Sequence, residues 1–196
     1  TPESETTVGV DIGVKRLLVA APADAGPDVE DALVVDGGIE RDLFNALDDT
    51  LGRLEDHSVD TTAVETETVE QYYSLLFQRF VFAVRSLDAY VGRRGADVVA
   101  LENITSQGTL AACARGPTKV GGWSFPTLRG CLAATLATEG VRVERVDAVD
   151  STQECYVCGE LAEVRCGMIK CETDGCPVNV VCWDRSAAVT LAQRVD

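Results

Sequence analysis

The chain has 196 residues, which is enough for one buried core and a small additional module. Its formal net charge of −15 is the reverse of the basic surface that nucleic-acid-binding proteins usually show. No apolar run approaches the roughly 20 residues that cross a bilayer, and no secretory signal is visible, so we expect a cytoplasmic protein without a membrane partner.

The first half of the chain predicts a β-meander followed by two helices. Two short strands are joined at Gly13-Val14-Lys15, as is typical of a tight hairpin. The polar stretch 56–68 is expected to be a weakly structured, mobile insertion. In chain order, the predicted elements are strands at 8–12, 16–21 and 32–35 and helices at 40–54 and 69–91.

The second half predicts two further strands, two helices and a cysteine-rich module. In chain order these are a strand at 97–101, a loop at 103–124, a helix at 126–138, a strand at 141–146, the module at 151–182 and a helix at 184–194. This order is typical of an RNase H-like α/β fold, with a mixed sheet, helices and an inserted zinc ribbon. The expected units are a nuclease core at 1–150, the zinc ribbon at 151–182 and a last helix at 183–196 that completes the core.

Three acidic residues are predicted at positions that suit a metal-dependent nuclease. Asp11 lies on the first strand between Gly9 and Gly13, which would leave room above its carboxylate for a metal ion and a phosphate. Glu102 ends an apolar strand, at the edge where ligands collect in α/β sheets. Asp184 opens the last helix, on the face of its small alanines. If the strands of Asp11 and Glu102 are neighbours, the three carboxylates can converge on one point.

Convergent carboxylates have a well-defined chemical use. They can hold two magnesium or manganese ions about 3.5–4 Å apart, which activate water and stabilise the leaving oxygen of a phosphodiester. Taken singly, Asp11 can instead be a turn residue, Glu102 a solvated strand end and Asp184 a helix N-cap. Four basic side chains are candidate phosphate contacts or ordinary solvated charges, namely Arg115, Lys119, Arg129 and Arg185.

Six of the eight cysteines fall within 155–182, which favours a metal site over a scattered disulfide framework. Cys155-Tyr156-Val157-Cys158-Gly159 is a CxxCG knuckle, and Cys171 with Cys176 forms its predicted partner. Four thiolates on two such knuckles can bind zinc tetrahedrally in a closed, structural site.

The second knuckle has four intervening residues instead of the usual two, so Cys166 or Cys182 can replace one of its ligands. Redox-active or unligated thiols are the alternative to zinc.

Four stretches of the chain occur together in the order of one known family. They are Val8-Gly9-Val10-Asp11-Ile12-Gly13, Trp123-Ser124-Phe125, Ser151-Thr152-Gln153-Glu154-Cys155-Tyr156-Val157-Cys158-Gly159 and Asp184-Arg185-Ser186-Ala187-Ala188. In this order they resemble the carboxyl-terminal half of TnpB proteins, the OrfB-type transposases, which are transposon-encoded, RNA-guided DNA nucleases related to the type V CRISPR effectors. Ser186 stands where the family has asparagine, and the family's amino-terminal guide-RNA-binding region has no counterpart in this sequence.

The resemblance implies a transposition-associated, RuvC-like DNA endonuclease domain that hydrolyses phosphodiesters with magnesium or manganese at Asp11, Glu102 and Asp184. It implies DNA as the substrate and a guide RNA as the partner of the complete form. It also implies a structural zinc ion on four cysteines, Cys155, Cys158, Cys171 and Cys176.

The acidic composition is unusual for a nuclease and suggests a surface adapted to high salt. Acidic residues are spread along the whole chain, and only three of the seventeen basic residues are lysine, which is typical of a salt-adapted, halophilic protein. An ordinary acidic protein with no polyanionic partner would have a similar charge balance.

Three other functions are open at this stage. One is a catalytically silent nucleic-acid-binding remnant or regulator of the same family. Another is an ATP-handling enzyme of the actin and sugar-kinase type, which needs a second glycine-rich phosphate loop; Gly121-Gly122 is a poor candidate for it. The last is a purely structural zinc-ribbon protein, which leaves the three acids unexplained.

Overall fold

A five-stranded mixed sheet forms the centre of the described part of the chain. The computed structural model describes residues 5–13, 15–103 and 121–195, with 121–125 described through their backbone only. The strands are β1 (Thr7–Asp11), β2 (Arg16–Pro22), β3 (Leu33–Asp36), β4 (Val98–Glu102) and β5 (Arg142–Val146). Their order is β3-β2-β1-β4-β5. The meander β1–β2–β3 is antiparallel, whereas β4 runs parallel to both β1 and β5.

Helices cover both faces of this sheet. They are α1 (Gly38–Glu55), α2 (Thr62–Arg94), α3 (Gly121–Thr138) and α4 (Trp183–Gln193). Helices α2 and α3 pack on one face, where alternate residues of β1, β2 and β4 form the main apolar core. This core includes Val8, Val10, Leu18, Phe80, Leu87, Leu101, Leu128 and Leu132. Helix α4 packs on the opposite face, against β1 and β2.

The cysteine module folds around a second, three-stranded antiparallel sheet. Its strands are β6 (Glu163–Arg165), β7 (Met168–Lys170) and β8 (Val180–Cys182), and β8 leads directly into α4. Tyr156 and Ile169 of the module share a buried cluster with Val19 of β2 and Ala188 of α4. The module therefore packs on the same side of the main sheet as α4.

Two predicted segments are wrong at their boundaries. The stretch 56–68 is helical from Thr62 onward, because Asp60 accepts a hydrogen bond from the Thr62 N–H and Thr61 bonds to Glu65 in the first turn. These local bonds start the helix where no apolar periodicity marks it. Helix α1 packs beside α2, where Leu47 of α1 and Leu76 of α2 share a buried apolar cluster.

Helix α3 also begins earlier than its sequence predicts. It starts at Gly121, so that Pro126 lies inside the helix, where its ring removes one backbone hydrogen bond without ending the helix. The preceding part of the predicted loop at 103–124 lies outside the described residues. None of the helices in the described ranges combines the length and apolar composition needed to span a membrane.

Candidate active site and cysteine cluster

The register of the central strands places Asp11 beside Glu102. In the parallel pair β1–β4, Val10 lies opposite Leu101, so one further step brings the two acids to neighbouring positions at the strand ends. Val10 and Leu101 face the α2–α3 core. Because side chains alternate along a strand, Asp11 and Glu102 both face the α4 side.

Gly9 allows α4 to lie directly on β1. A Cβ atom at this position would come within 1.9 Å of the Ala188 carbonyl oxygen and 2.5 Å of the Ala192 nitrogen. The space above Gly9 is therefore filled by the helix, and the expectation that this glycine leaves room for a metal ion is wrong. Its role is to set the height of α4, and hence of Asp184, above the sheet.

Asp184 is the second residue of α4. The N-cap is Cys182, in extended backbone, so the interpretation of Asp184 as a helix cap is wrong. An acidic side chain in the first turn is still favoured by the helix dipole. The helix start thus carries Asp184 to the edge of the site formed by Asp11 and Glu102.

Asp11 lies in a mostly buried, acidic environment, with 8% of its surface exposed. Burial raises the pKa of its carboxyl well above the usual range. The negative charges of Glu102 and Asp184 raise it further, whereas the Arg16 guanidinium opposes this effect. Glu102 and Asp184 therefore lie close enough to Asp11 to influence the ionisation of its carboxyl.

Glu102 is 6% exposed, which contradicts its interpretation as a solvated strand end. Burial raises the pKa of its carboxyl to about 7, although Arg129 of α3 and a hydrogen bond from the Ile12 N–H both favour the carboxylate. Its Oε1 atom has no hydrogen-bond partner among the described residues. A buried carboxylate oxygen without a donor is costly, so this atom is available to a ligand that carries positive charge.

Arg16, at the start of β2, holds Asp184. The two side chains form an ion pair, and Arg16 Nη1 also donates a hydrogen bond to Cys182 Sγ at 2.9 Å. Among the described side chains, the carboxylates of the three acids do not converge as closely as the cysteine sulfurs do. The sequence analysis missed Arg16, although its position directly after the Asp-x-Gly hairpin was a signal that could have found it.

The residues present fit a divalent cation. Magnesium and manganese prefer oxygen ligands, and Asp11 and Glu102 offer carboxylates side by side at the strand ends. A cation would satisfy Glu102 Oε1 and would offset the repulsion that raises the pKa of Asp11. Asp184 can join them once its carboxylate is free of Arg16.

The structure brings together the four cysteines that were predicted as zinc ligands. Their sulfurs all lie within 4.8 Å of one another, with Cys155 3.7 Å from Cys176 and Cys158 3.6 Å from Cys171. A tetrahedral metal ion with metal–sulfur bonds of about 2.3 Å requires sulfur–sulfur distances of about 3.8 Å. This cluster can therefore hold a zinc ion.

Backbone geometry explains how both knuckles reach this arrangement. The amides of Val157 and Cys158 donate to Cys155 Sγ, and Gly159 turns the chain with a φ of +75°. In the longer second knuckle, Gly175 has a φ of +80° and the Cys176 N–H donates to the Thr173 carbonyl. Glycine adopts such left-handed conformations without the steric cost that a Cβ atom brings.

The other two cysteines of the module lie outside this cluster. Cys166 is exposed in the turn between β6 and β7, and Cys182 is buried beside Arg16. Within the described residues, neither replaces one of the four clustered cysteines.

The module is fastened to α4 and to the loop after β2. Ser186, which stands where the resembled family has asparagine, is buried and donates a hydrogen bond to the Glu154 carbonyl at 3.0 Å. Tyr156 donates to the Gly26 carbonyl at 2.7 Å. A metal-stabilised module would therefore also fix the helix that carries Asp184.

The candidate phosphate contacts are only partly described. Arg129 lies near Glu102, and Arg185 donates to the Val29 carbonyl at 3.4 Å. Arg115 and Lys119 lie outside the described residues. Gly121-Gly122 lies in the first turn of α3 and does not form a phosphate-binding loop.

Comparison with known proteins supports the fold. No protein-family model and no curated protein matches the chain. A cryo-EM structure of a Cas12f1–sgRNA–target DNA complex is similar, with a TM-score of 0.75 and 15% identity, and so is one of a CRISPR-Cas12f ternary complex, with a TM-score of 0.68 and 16% identity.

These similarities cover 98% of this chain but only 50% and 40% of the two Cas12f chains, so this chain spans half of their length or less. At such identities the similarity shows the fold alone. The predicted RNase H-like (RuvC-type) α/β fold with its inserted cysteine module is therefore confirmed.

Proposed function

We propose that the chain is a RuvC-like nuclease domain that hydrolyses DNA phosphodiesters with magnesium or manganese ions. The observation that carries this proposal is the pair of buried, adjacent carboxylates of Asp11 and Glu102, with Asp184 on the helix above them. In its complete form the enzyme is guided by RNA and belongs with the transposon-associated TnpB nucleases. The family motifs in the sequence and the similarity to Cas12f complexes with sgRNA and target DNA support this finer assignment.

Each residue has a defined task in this proposal. Asp11 and Glu102 bind the cations, and the Ile12 N–H orients the Glu102 carboxylate. Asp184 completes the ligand set from α4, whose height above the sheet Gly9 determines. The bound cations supply Lewis acidity that activates water and stabilises the leaving oxygen. Arg129, beside Glu102, is the best-placed described candidate for a phosphate contact.

The zinc ion is proposed to be structural. Four thiolates close its coordination sphere, which leaves no position for a substrate. Its effect on catalysis is indirect, because the module that it stabilises binds α4 through Ser186 and Glu154. The domain division into a core at 1–150, a ribbon at 151–182 and a closing helix at 183–196 is part of the same proposal.

The second candidate is a catalytically silent nucleic-acid-binding remnant of this class. The ion pair between Asp184 and Arg16 favours it, because a carboxylate held by a guanidinium is not free to bind a cation. The buried, unpaired Glu102 Oε1 argues for an intact site. The kinase alternative lacks its second phosphate loop in the described residues, and a purely structural protein does not account for two buried acids.

Cleavage of labelled single-stranded DNA tests the proposal. The zinc-loaded chain is incubated with magnesium or manganese in low and molar KCl, beside the variants Asp11→Asn and Asp49→Asn. Asp49 is an exposed acid of α1, so its variant is matched in charge but distant from the site. We expect cleavage that Asp49→Asn retains and Asp11→Asn loses. Binding of DNA without cleavage under every condition would favour the silent remnant.

A further inference from the structure

The positive charge of Arg16 offsets part of the negative charge of the candidate active site. Its guanidinium pairs with Asp184 and donates to Cys182 Sγ, and its charge also acts on Asp11. A cation bound at Asp11 and Glu102 would also meet this positive charge, because the charge of Arg16 acts on Asp11. Two positive charges in a partly buried site repel each other.

We propose that Arg16 is a built-in competitor of the divalent cation: it holds Asp184 in the metal-free protein and has to release it before Asp184 can become a metal ligand. This inference rests on the proposed function, because it requires a cation at Asp11 and Glu102. It also explains how Asp11 and Glu102 can form an intact cation site although Asp184 is paired with Arg16 in the structure.

The exposure of the ion pair makes this exchange feasible. The Arg16 side chain is 35% exposed and that of Asp184 is 15% exposed, so water screens the pair and it is weaker than a fully buried one. A divalent cation interacts with a carboxylate through twice the charge of a guanidinium. The cation is therefore able to displace Arg16 from Asp184.

The surroundings provide alternative partners for the released guanidinium. Arg16 lines an open cavity of about 540 Å³, and Asp28 and Glu30 belong to the same lining. On the neighbouring strand, Asp36 lies opposite Arg16 in the register of β2 and β3. Arg16 thus has other carboxylates in its surroundings when it leaves Asp184.

Thermodynamic linkage predicts the direction in which the cation affinity changes when the charge of Arg16 is removed. If Arg16 and the cation compete, removing the arginine charge must tighten cation binding. If the ion pair only holds the site together, removing it must weaken cation binding. The affinity for Mn²⁺ therefore distinguishes competition from structural support.

The test is a Mn²⁺ titration of the zinc-loaded full chain, followed by the electron paramagnetic resonance signal of free Mn²⁺ at fixed salt. The variants are Arg16→Gln, Arg16→Lys and the control Arg165→Gln, which removes one positive charge from a side chain of β6 that is 80% exposed. We expect Arg16→Gln to lower the Kd for Mn²⁺ about tenfold relative to the control. Arg16→Lys keeps the charge and is expected to change the Kd less than about threefold.

The same titration in an Asp11→Asn background separates the possible failures. Binding that Asp11→Asn abolishes but Arg16→Gln does not tighten would overturn the role of Arg16 and leave the proposed function standing. Binding that is insensitive to Asp11→Asn in every variant would overturn both.

A measurement on the wild-type chain covers the case in which Arg16→Gln does not fold. The Arg16 side-chain Nε resonance, identified by its loss in Arg16→Lys, is expected to shift when Mg²⁺ is added, because the guanidinium changes partner. A resonance that stays in place while Mg²⁺ binds would overturn the proposal.

Discussion

Replacing Gly9 by alanine should separate α4 from the sheet. The new Cβ atom would lie 1.9 Å from the Ala188 carbonyl oxygen, whereas real Cβ contacts essentially never fall below 3.0 Å, so the helix has to retreat by about 1.1 Å. Both clashing atoms belong to the backbone of α4, so no side chain can rotate away. Overpacking of this kind costs about 3 kcal/mol, a large part of the stability of a typical domain.

Urea unfolding of the zinc-loaded protein measures this cost, and Gly52→Ala is the matched control. Gly52 lies inside α1, and an alanine Cβ atom there would have no neighbouring atom within 4 Å, so this substitution should raise the free energy of unfolding by about 0.5–1 kcal/mol. Because α4 carries Asp184, Gly9→Ala should also weaken Mn²⁺ binding. A Gly9→Ala protein as stable as the wild type, with unchanged Mn²⁺ affinity, would refute this role of Gly9.

Two further predictions concern the acids and the thiols. In magnesium-free protein, the Glu102 carboxyl keeps its proton up to a pKa of about 7, against 4.5 for an ordinary glutamate, so the free energy of unfolding should fall by about 3 kcal/mol as the pH rises between these values. Glu102→Gln should remove this contribution, and urea unfolding between pH 5 and pH 8 that shows parallel curves for both proteins would contradict it. Cys158→Ser should lose the zinc ion and destabilise the module, whereas Cys166→Ser, outside the cluster, should keep it. Zinc content measured by mass spectrometry decides this, and full zinc loading of Cys158→Ser would show that the cluster is not the site.

Local patterns in the sequence are sufficient to predict the central strands and the positions of Asp11 and Glu102 on them, whereas the pairing of β1 with β4 that makes the two acids neighbours is shown by the structure. Alternation fixes the face on which a strand residue lies, and two parallel strands that pair in register bring their ends together. The hairpin around Gly13 and the apolar run before Glu102 carry both signals. Such patterns do not predict the start of α2, because local polar hydrogen bonds of Asp60 and Thr61, not an apolar stripe, mark the beginning of that helix.

Local sequence patterns do not predict contacts between distant parts of the chain. Arg16 and Asp184 are 168 positions apart, and their ion pair depends on how α4 lies on β1. The function of Gly9 depends on the same packing. In the sequence its small size suggests space for a metal ion, whereas in the fold helix α4 fills that space. Local sequence can indicate that a residue is small or charged, but the partner follows from the tertiary fold.

The most direct test of the central claim is the position of manganese in crystals of the zinc-loaded chain, located by its anomalous scattering. The proposed nuclease site requires a Mn²⁺ peak within about 2.5 Å of carboxylate oxygens of both Asp11 and Glu102, with Asp184 released from Arg16. Clear density for both acids with no manganese between them, at concentrations that saturate known metal-dependent nucleases, would contradict the account.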